Sequence, residues 1–496
     1  MPVKKLVGFF VKGWRKKMRR NTFSIALLIL ALFSSTAHGL LPYRLGEPLS
    51  GLAGNAVSEI LWDREFIWVG TVDGVSKTSN AGQTWHTYNS TNGLSYNDVT
   101  AMAFSGSALW VALAYNRFLE GEPFPFGGGF NRTTDQGTTW KEIRPSQATN
   151  GYLKLAFDIA IVDSLAWAAC VYGGLIRFSD ESTWENVFAD SFARKDFEED
   201  STGNNLNNIF FAAVADTFAA DTTSIWTGTC AGIYRFVYTQ SDSADTVMNF
   251  NSLQHNLWGD FVFTLAVQKY DDRKIIWAGA RTDCQGGTYA ASRSTDHGQT
   301  WETVLEGDAV NNFDFHDSVV WAATNSGLKR SKDLGQTWEV FNFMQDRDQP
   351  DQRVFSTEFY SVRTVEGVVW AGNADGLVKT EDDGETWKVY RSFVPIGTKK
   401  SETAYAYPNP FSPKLFTQVT RLHYKPRSDG LVTIKIYDFA MNLVREIRSG
   451  TKEGGKEYDE IWDGRNDEGD VVANGTYFFK VEARGQREWG KVVVVK

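Results

Sequence analysis

Apolar and polar positions along this chain alternate in short runs, and the runs return. Stretches such as DVTAMAF (98–104) and FYSVRTV (359–365) alternate residue by residue, which predicts strands with one buried face. After each such run comes an apolar residue, a tryptophan and small residues: IWVGT, LWVAL, AWAAC, IWTGT, IWAGA, VWAAT and VWAGN. Their tryptophans are Trp68, Trp110, Trp167, Trp226, Trp277, Trp321 and Trp370, at intervals of 42, 57, 59, 51, 44 and 49 residues. A glycine turn and a second short strand follow, ending in Lys77, Arg132, Arg177, Arg235, Arg293, Arg330 and Lys379.

A box then closes most units: TSNAGQTW (78–85), TTDQGTTW (133–140), STDHGQTW (294–301), SKDLGQTW (331–338) and TEDDGETW (380–387). The third unit keeps only SDESTW, and the fourth has no box. Four short strands per unit, repeated seven times, predict an all-β, seven-bladed β-propeller. Solenoid rungs are shorter, and a sandwich has no reason to repeat one tryptophan seven times.

The box chemistry is that of a turn. Asp135, Asp296, Asp333 and Asp382 can accept hydrogen bonds from the amides of their own turn. Gly137, Gly298, Gly335 and Gly384 supply positive φ. Trp140, Trp301, Trp338 and Trp387 open the outer strand and can bury their rings between blades. These residues are expected to stitch the third-to-fourth-strand turn. The opposite face carries the second-to-third and blade-to-blade loops, where a ligand is expected. The basic residue before each box is expected to pair with carboxylates or cover a tryptophan. How the ring closes stays open, since LPYRLGEP (41–48) reads as an outer strand although the seventh unit already owns TWKVYRS.

From about Ser401 the pattern changes. A proline-punctuated entry, AYPNPFSP, leads into TRLHYKP, LVTIKIYDF, LVREIRSG, YDEIWDG, GTYFFKVEA and KVVVVK, short alternating strands that predict a small β-sandwich. At the other end, residues 1–39 hold eight basic residues and no acid, then an 11-residue apolar run from Phe23 to Phe33 and small residues around Gly39. That run is short for a bilayer span and reads as a signal peptide cleaved near Gly39, with an uncleaved anchor as the alternative. The expected organisation is a signal peptide (1–39), propeller (40–395), linker (396–403) and Ig-like domain (404–496), secreted or held at the cell surface.

Without the leader, 43 basic residues face 60 acidic ones, a net charge of −17, which speaks against nucleic acid or anionic lipid as partner. Cys170, Cys230 and Cys284 form no disulfide framework and no zinc spacing. A Cys170–Cys230 bridge and buried thiols both remain open.

The repeated box resembles the Asp-box (BNR) repeats of sialidases, of seven-bladed xyloglucanase propellers, of sortilin-type receptors and of photosystem II assembly-factor-like propellers. GLSYNDVTAMAFSGSALWVAL (93–113) resembles the propeller repeats of sensor-kinase periplasmic regions. The C-terminal module, on Tyr407-Pro408-Asn409-Pro410-Phe411, Ile436-Tyr437-Asp438, Trp462-Asp463-Gly464 with Gly469, and Gly475-Thr476-Tyr477, resembles the Ig-like domain of flagellar-hook-capping proteins and type IX secretion sorting domains. One departure is Met441, where those domains often have glycine. The resemblance implies export, and a tail that engages secretion and attachment machinery.

Catalytic chemistry is sparse. The sialidases that the boxes resemble need an arginine triad and an early Arg-Ile-Pro signature; the signature is absent, and only Arg117 and Arg281 fall in second-to-third loops. A xyloglucanase-type hydrolase needs just two carboxylates, and the loops offer Asp73, Glu120, Glu122, Asp283 and Asp375. The six histidines form no metal spacing, and DRDQPDQ (346–352) and DGRNDEGD (463–470) do not match a calcium loop. No cofactor is expected. Two insertions, 114–129 and 189–208, lengthen the upper face. Tyr115, Arg117, Phe118, Phe124 and Phe126, with Arg281, are the candidate ligand contacts; the aromatics either stack on a glycan or protein ligand or cap a neighbouring blade. The expectation is a non-enzymatic binding or scaffold protein, with a carbohydrate hydrolase as the alternative.

Overall fold

The computed structural model describes residues 51–119, 122–144, 155–162, 165–171, 174–178, 184–187, 209–219, 222–238, 246–283, 286–348, 353–354, 356–392, 404–407, 409–413 and 419–495. Seven four-stranded antiparallel sheets, each of strands consecutive in sequence, form the first body. Blade 1 spans Val57–Tyr88, blade 2 Asp98–Ile143, blade 3 Leu155–Val187, blade 4 Phe210–Phe250, blade 5 Phe261–Glu306, blade 6 Val310–Phe341 and blade 7 Phe359–Tyr390. The first strand of every blade neighbours the first strand of the next, and the seventh neighbours the first, so the ring is closed around an axis. The fold is a seven-bladed propeller.

The repeat explains the packing. In every blade the strand-two tryptophan lies directly across the ladder from the basic residue at the end of strand three, from Trp68 opposite Lys77 to Trp370 opposite Lys379. All seven rings are buried. In six blades the cation lies 5.0–5.6 Å from the ring centroid, as Arg235 does over Trp226 and Arg177 over Trp167.

The ring closes without a shared strand. Blade 7 has its own outer strand, Lys388–Tyr390, while residues 41–48 lie outside the described residues. At the seam Lys379 Nζ donates to Ala81 O (3.2 Å), Tyr390 Oη to the same oxygen (3.0 Å), and the Ser392 amide to Asn55 Oδ1 (2.7 Å). A Cβ on Gly372 would stand 2.3 Å from Val57 Cγ1, so the innermost strand of blade 1 approaches the second strand of blade 7 that closely only with glycine there. Between blades 6 and 7 a small hairpin, Met344–Gln345 with Arg353–Val354, covers the blade 7 edge: Asp346 accepts the Val389 amide (2.9 Å) and Arg347 N donates to Trp387 O (2.8 Å). One helical turn, Ser252–His255, was not expected from the sequence pattern; the Asn251 side chain caps it by accepting the Gln254 amide.

The C-terminal body is a two-sheet sandwich. Ala404–Tyr407, Thr420–Tyr424 and Tyr458–Trp462 form one sheet; Leu443–Lys452, Gly430–Tyr437, Gly475–Ala483 and Gln486–Val494 form the other, in that order. Leu422, Tyr424, Ile434, Ile436, Trp462 and Phe479 fill the space between them.

Candidate functional site

The boxed turns come first, because they fix which face is free. Ser331 Oγ donates to Asp333 Oδ1 (2.7 Å), the Thr337 amide donates to the same oxygen (2.8 Å), and Thr337 Oγ1 donates to Oδ2 (2.6 Å). The Gly335 amide donates to Ser331 Oγ (2.7 Å). The same set recurs at Asp135, Asp296 and Asp382. In blade 1 Asn80 takes the place, and its Nδ2 donates to Thr84 Oγ1 (2.8 Å). Hydrogen bonds from Thr337, then Ser331, hold Asp333 at about 2, and Thr139 and Thr133 do the same for Asp135. A carboxylate so occupied by its own turn is poorly placed to hold a ligand.

Each box also reaches back to the blade before it. The residue ahead of the glycine is left-handed at Ala81, Gln136, His297, Leu334 and Asp383, with φ between 54° and 59°. At four of these the carbonyl accepts from the preceding blade's basic residue: Lys77 Nζ to Gln136 O (2.6 Å), Arg330 to Asp383 O (2.5 Å), Arg293 to Leu334 O, and Lys379 to Ala81 O. The box glycines lie on the preceding blade's aromatics; a Cβ on Gly335 would sit 2.8 Å from Trp277, and on Gly137, 2.6 Å from Tyr88. Trp140 meets Tyr88 at 5.5 Å, Trp387 meets Phe341 at 5.8 Å, Trp338 Nε1 donates to Val304 O (2.8 Å), and Trp301 is buried with Trp226 and Phe250.

On the opposite face three features stand together. The first is the axis, where a cavity of about 150 Å³ is lined from every blade by Glu59, Thr100, Asp158, Phe211, Thr264, Asn312 and Tyr360. Burial, then the negative charge of Asp158, pushes Glu59 up to about 8. Burial raises Asp158 to about 6, against the pull of hydrogen bonds from the Ala213 (2.9 Å) and Ile159 (2.8 Å) amides. Arg363 steadies the neighbourhood from blade 7, donating to Asp314 Oδ1 (3.2 Å) and Ile60 O (3.4 Å). A protonated acid beside a carboxylate is the arrangement acid–base catalysis uses. The cavity, however, falls below the ~300–1,000 Å³ of small-molecule sites.

The second is a ribbon. Strands two and three of blade 2, Ala108–Leu119 and Glu122–Thr133, run 12 residues each. Strand one pairs only as far as Ala114 and strand four only from Phe130, so 115–119 and 122–126 pair with each other alone. Tyr115 stacks between Tyr96 (4.7 Å) and Phe126 (5.9 Å). Gly128 permits this, since a Cβ there would sit 2.6 Å from the Tyr96 ring.

The third is the C-terminal module itself. Asp375, in the second-to-third turn of blade 7, is held by Arg421 of the module through Nε (3.1 Å) and Nη2, and Arg391 donates to its carbonyl (3.1 Å) and carboxylate (3.4 Å). Arg391 and Arg421 are buried, as is Asp375. The module therefore rests on the upper face at blade 7.

The sequence candidates distribute unevenly over these features. Tyr115 and Phe126 belong to the ribbon stack, with Phe126 buried. Arg281, expected as a ligand contact, is instead 3% exposed and lies over Phe261 at 4.6 Å, because the strand that carries it turns its side chain into the blade wall. The side chains of Arg117, Phe118 and Phe124 lie outside the described residues, as do Glu120, the side chains of Glu122 and Asp283, and the 189–208 insertion. Asp73 sits in the blade 1 turn with its amide on Thr71 Oγ1 (3.2 Å). Asp346 and Asp348 of the acid-rich 346–352 segment hold Lys388 at 3.2 and 3.0 Å. Cys230 is disulfide-bonded and Cys170 keeps a buried thiol, so the Cys170–Cys230 bridge is not formed; Cys284 lies outside the described residues. Among the described residues no three His, Cys, Asp or Glu side chains are grouped to hold a metal, and no helix is long and apolar enough to cross a membrane. Sequence reading missed Glu59 and Asp158, although an acid inside the apolar run LAFDIAIV was the available signal.

A family model described as the FlgD Ig-like domain matches residues 414–487. The C-terminal module is an Ig-like domain. No curated protein matches the chain. Among solved structures, an ancestral GH74 enzyme is similar over 90% of this chain and 63% of its own, at 14% identity and a TM-score of 0.53. PorZ, an essential surface component of the type-IX secretion system of Porphyromonas gingivalis, matches over 93% of this chain and 62% of its own at 15% identity and TM-score 0.44. YCF48 bound to D1 peptide matches over 71% and 99% at 16% identity and TM-score 0.42. The chain spans less than two thirds of the GH74 and PorZ chains, and likeness at such identities concerns the fold alone.

Proposed function

We propose that this chain is an exported, non-enzymatic binding or scaffold protein of the cell surface. In this reading the leader is removed near Gly39, the boxes are Asp-box stitches, and the propeller takes a glycan or protein ligand on the face that carries the second-to-third turns. The Ig-like domain acts as a sorting and attachment module of the type IX kind. The observation that carries the reading is the blade 2 ribbon, a two-stranded projection whose own pairing is marginal in water and whose base is ordered by an aromatic stack. An array of glycans and extended peptides probed with the chain should give hits that Tyr115→Ala weakens about tenfold; a ligand list unchanged by that substitution counts against the ribbon.

The second reading, a carbohydrate hydrolase, is favoured by one observation, the shared axial cavity of Glu59 and Asp158. Hydrolysis assays on the array hits decide between the two: turnover that Glu59→Gln abolishes would replace the binding reading.

A further inference from the structure

The negative charge of the chain is not evenly spread. Residues 40–403 hold 28 basic and 47 acidic residues, whereas 404–496 hold 15 and 13. The sandwich adds direction to this asymmetry. Its three-stranded sheet turns Arg421 outward onto blade 7, and the outer faces of two packed sheets look opposite ways. The outer face of the four-stranded sheet is therefore turned away from the propeller.

That face is apolar and cationic together. Trp489 is 48% exposed and lies 5.7 Å from Tyr437, which stands across the ladder from Phe478. Phe478 meets Phe439 at 6.2 Å, and Phe439, in the turn between Gly430–Tyr437 and Leu443–Lys452, is 78% exposed. Lys480 lies over the Trp489 ring at 5.7 Å, Lys435 is its neighbour across the ladder, and Lys491 is the neighbour of Phe478. Glu482 answers Lys435 (3.4 Å) and Lys480 (2.5 Å), and Glu446 stands across the ladder from Lys435; Arg448 lies 3.1 Å from Glu446 and Arg487 4.0 Å from Glu482, so the face keeps a surplus of positive charge.

Met441 supplies an independent observation. It sits in the same turn at φ 65°, half-exposed, in a left-handed conformation that disfavours any residue with a Cβ and that glycine adopts freely. No core packing compensates for a side chain in that position.

We propose that this turn and sheet face form an interfacial anchor for a bilayer with anionic headgroups. Phe439, Met441 and Trp489 enter the headgroup boundary, and Lys435, Lys480 and Lys491 meet the negative headgroups. A convex apolar tip fits a deformable surface better than a pocket, and the flanking lysines select its charge. The whole-chain charge that speaks against such a partner belongs to residues 40–403. The proposal rests on the reading of the Ig-like domain as the attachment end, and needs no ligand on the propeller.

Flotation with phosphatidylcholine vesicles, with and without phosphatidylglycerol, tests it on the full chain and on a chain begun at Leu40, which lacks the apolar leader. Both should float with the anionic vesicles alone. Phe439→Ser should weaken binding about tenfold or more, and Lys480→Glu with Lys491→Glu about fivefold per charge removed. Met441→Gly should weaken binding while keeping or raising the thermal midpoint, because glycine relaxes the turn. Flotation of the Leu40 chain that needs no anionic lipid, binding that survives these substitutions, or a Met441→Gly chain that unfolds earlier overturns the proposal. Such a result leaves the propeller reading standing, since the vesicles carry neither glycan nor protein.

Discussion

Blades 1, 2, 5, 6 and 7 and blades 3 and 4 solve the same packing problem differently. In the boxed sector blades 1, 2, 6 and 7 are each joined to the preceding blade by polar atoms: a lysine or arginine spans the joint and donates to the carbonyl of a left-handed turn residue. Blade 4 has no box, and the shortened third box lies outside the described residues. At those joints aromatic rings stand where the clasp would be: Phe178 packs on Trp110 (5.1 Å) and Phe130 (5.1 Å), and Tyr238 packs on Trp167 (4.9 Å). The polar contacts differ as well. Trp68 and Trp277 donate their indole N–H to Asp63 (2.8 Å) and Gln268 (2.9 Å), whereas the buried Nε1 atoms of Trp167 and Trp226 have no partner among the described residues. A propeller blade thus needs its tryptophan and inner strands; the box is a joint, replaceable by grease.

The largest expected effect follows from that ranking. Trp277→Ala removes a fully buried ring and an indole hydrogen bond and should cost ~3–5 kcal/mol in urea unfolding. Trp167→Ala should cost less, since its N–H is already unpaired. Equal costs would mean that the polar atoms of the boxed sector add nothing. Hydrogen exchange should show the blade 3 and 4 amides opening first.

The axial acids join the two sectors, Glu59 from blade 1 and Asp158 from blade 3. Both are raised, to about 8 and about 6, so the folded state holds protons that the unfolded chain has released. Their contribution is complete below about pH 4 and is lost as pH rises through 6 and then 8. Glu59→Gln should flatten that limb of the stability–pH curve and stabilise the chain at pH 8. The boxed aspartates act with the opposite sign: depressed to about 2 at Asp135 and Asp333, they stabilise above the ordinary aspartate range and lose this as pH falls toward 2.

The sequence made the boxed turns legible because each is local, with donor, acceptor and glycine inside eight residues; the clasp from a lysine or arginine to the next blade's turn carbonyl, 59 residues on for Lys77 and Gln136, was not. The seven tryptophans were legible for the same reason. Glu59 and Asp158 were not, because VSEILW and LAFDIAIV read as ordinary inner strands until the ring brings them to one axis. Nor was the docking of Asp375 by Arg421, which are 46 residues apart on different bodies; each alone reads as a solvated charge. Arg281 misled for a related reason: a position near a loop says nothing of which way a strand turns its side chain.

The clasp itself gives the next contrast. Arg330→Met should cost ~1.5–3 kcal/mol, because Arg330 is buried and bonds both Asp383 O (2.5 Å) and Glu339 (2.6 Å). Arg132→Met, at the blade 3 joint where Phe178 packs on Trp110 and Phe130, should cost less; the Nε atoms of Arg132 and Arg330 are alike without a partner among the described residues, so the difference reads the clasp. A large loss at Arg132 would show that a further acceptor in blade 3 completes the clasp there.

The smallest effect separates charge from geometry within one turn. Asp296 receives Ser294 Oγ (2.8 Å), the Thr300 amide (2.9 Å) and Thr300 Oγ1 (2.6 Å). Asp296→Ala leaves those donors to water at ~1–2 kcal/mol. Asp296→Asn should cost under about half of that, because an asparagine already fills the equivalent place in blade 1. There Asn80 Oδ1 accepts the Thr84 amide (2.9 Å), while its Nδ2 turns the threonine hydroxyl from donor into acceptor. If the asparagine change costs as much as the alanine change, the turn depends on the carboxylate charge, and blade 1 must be held by its seam contacts to blade 7 rather than by its box.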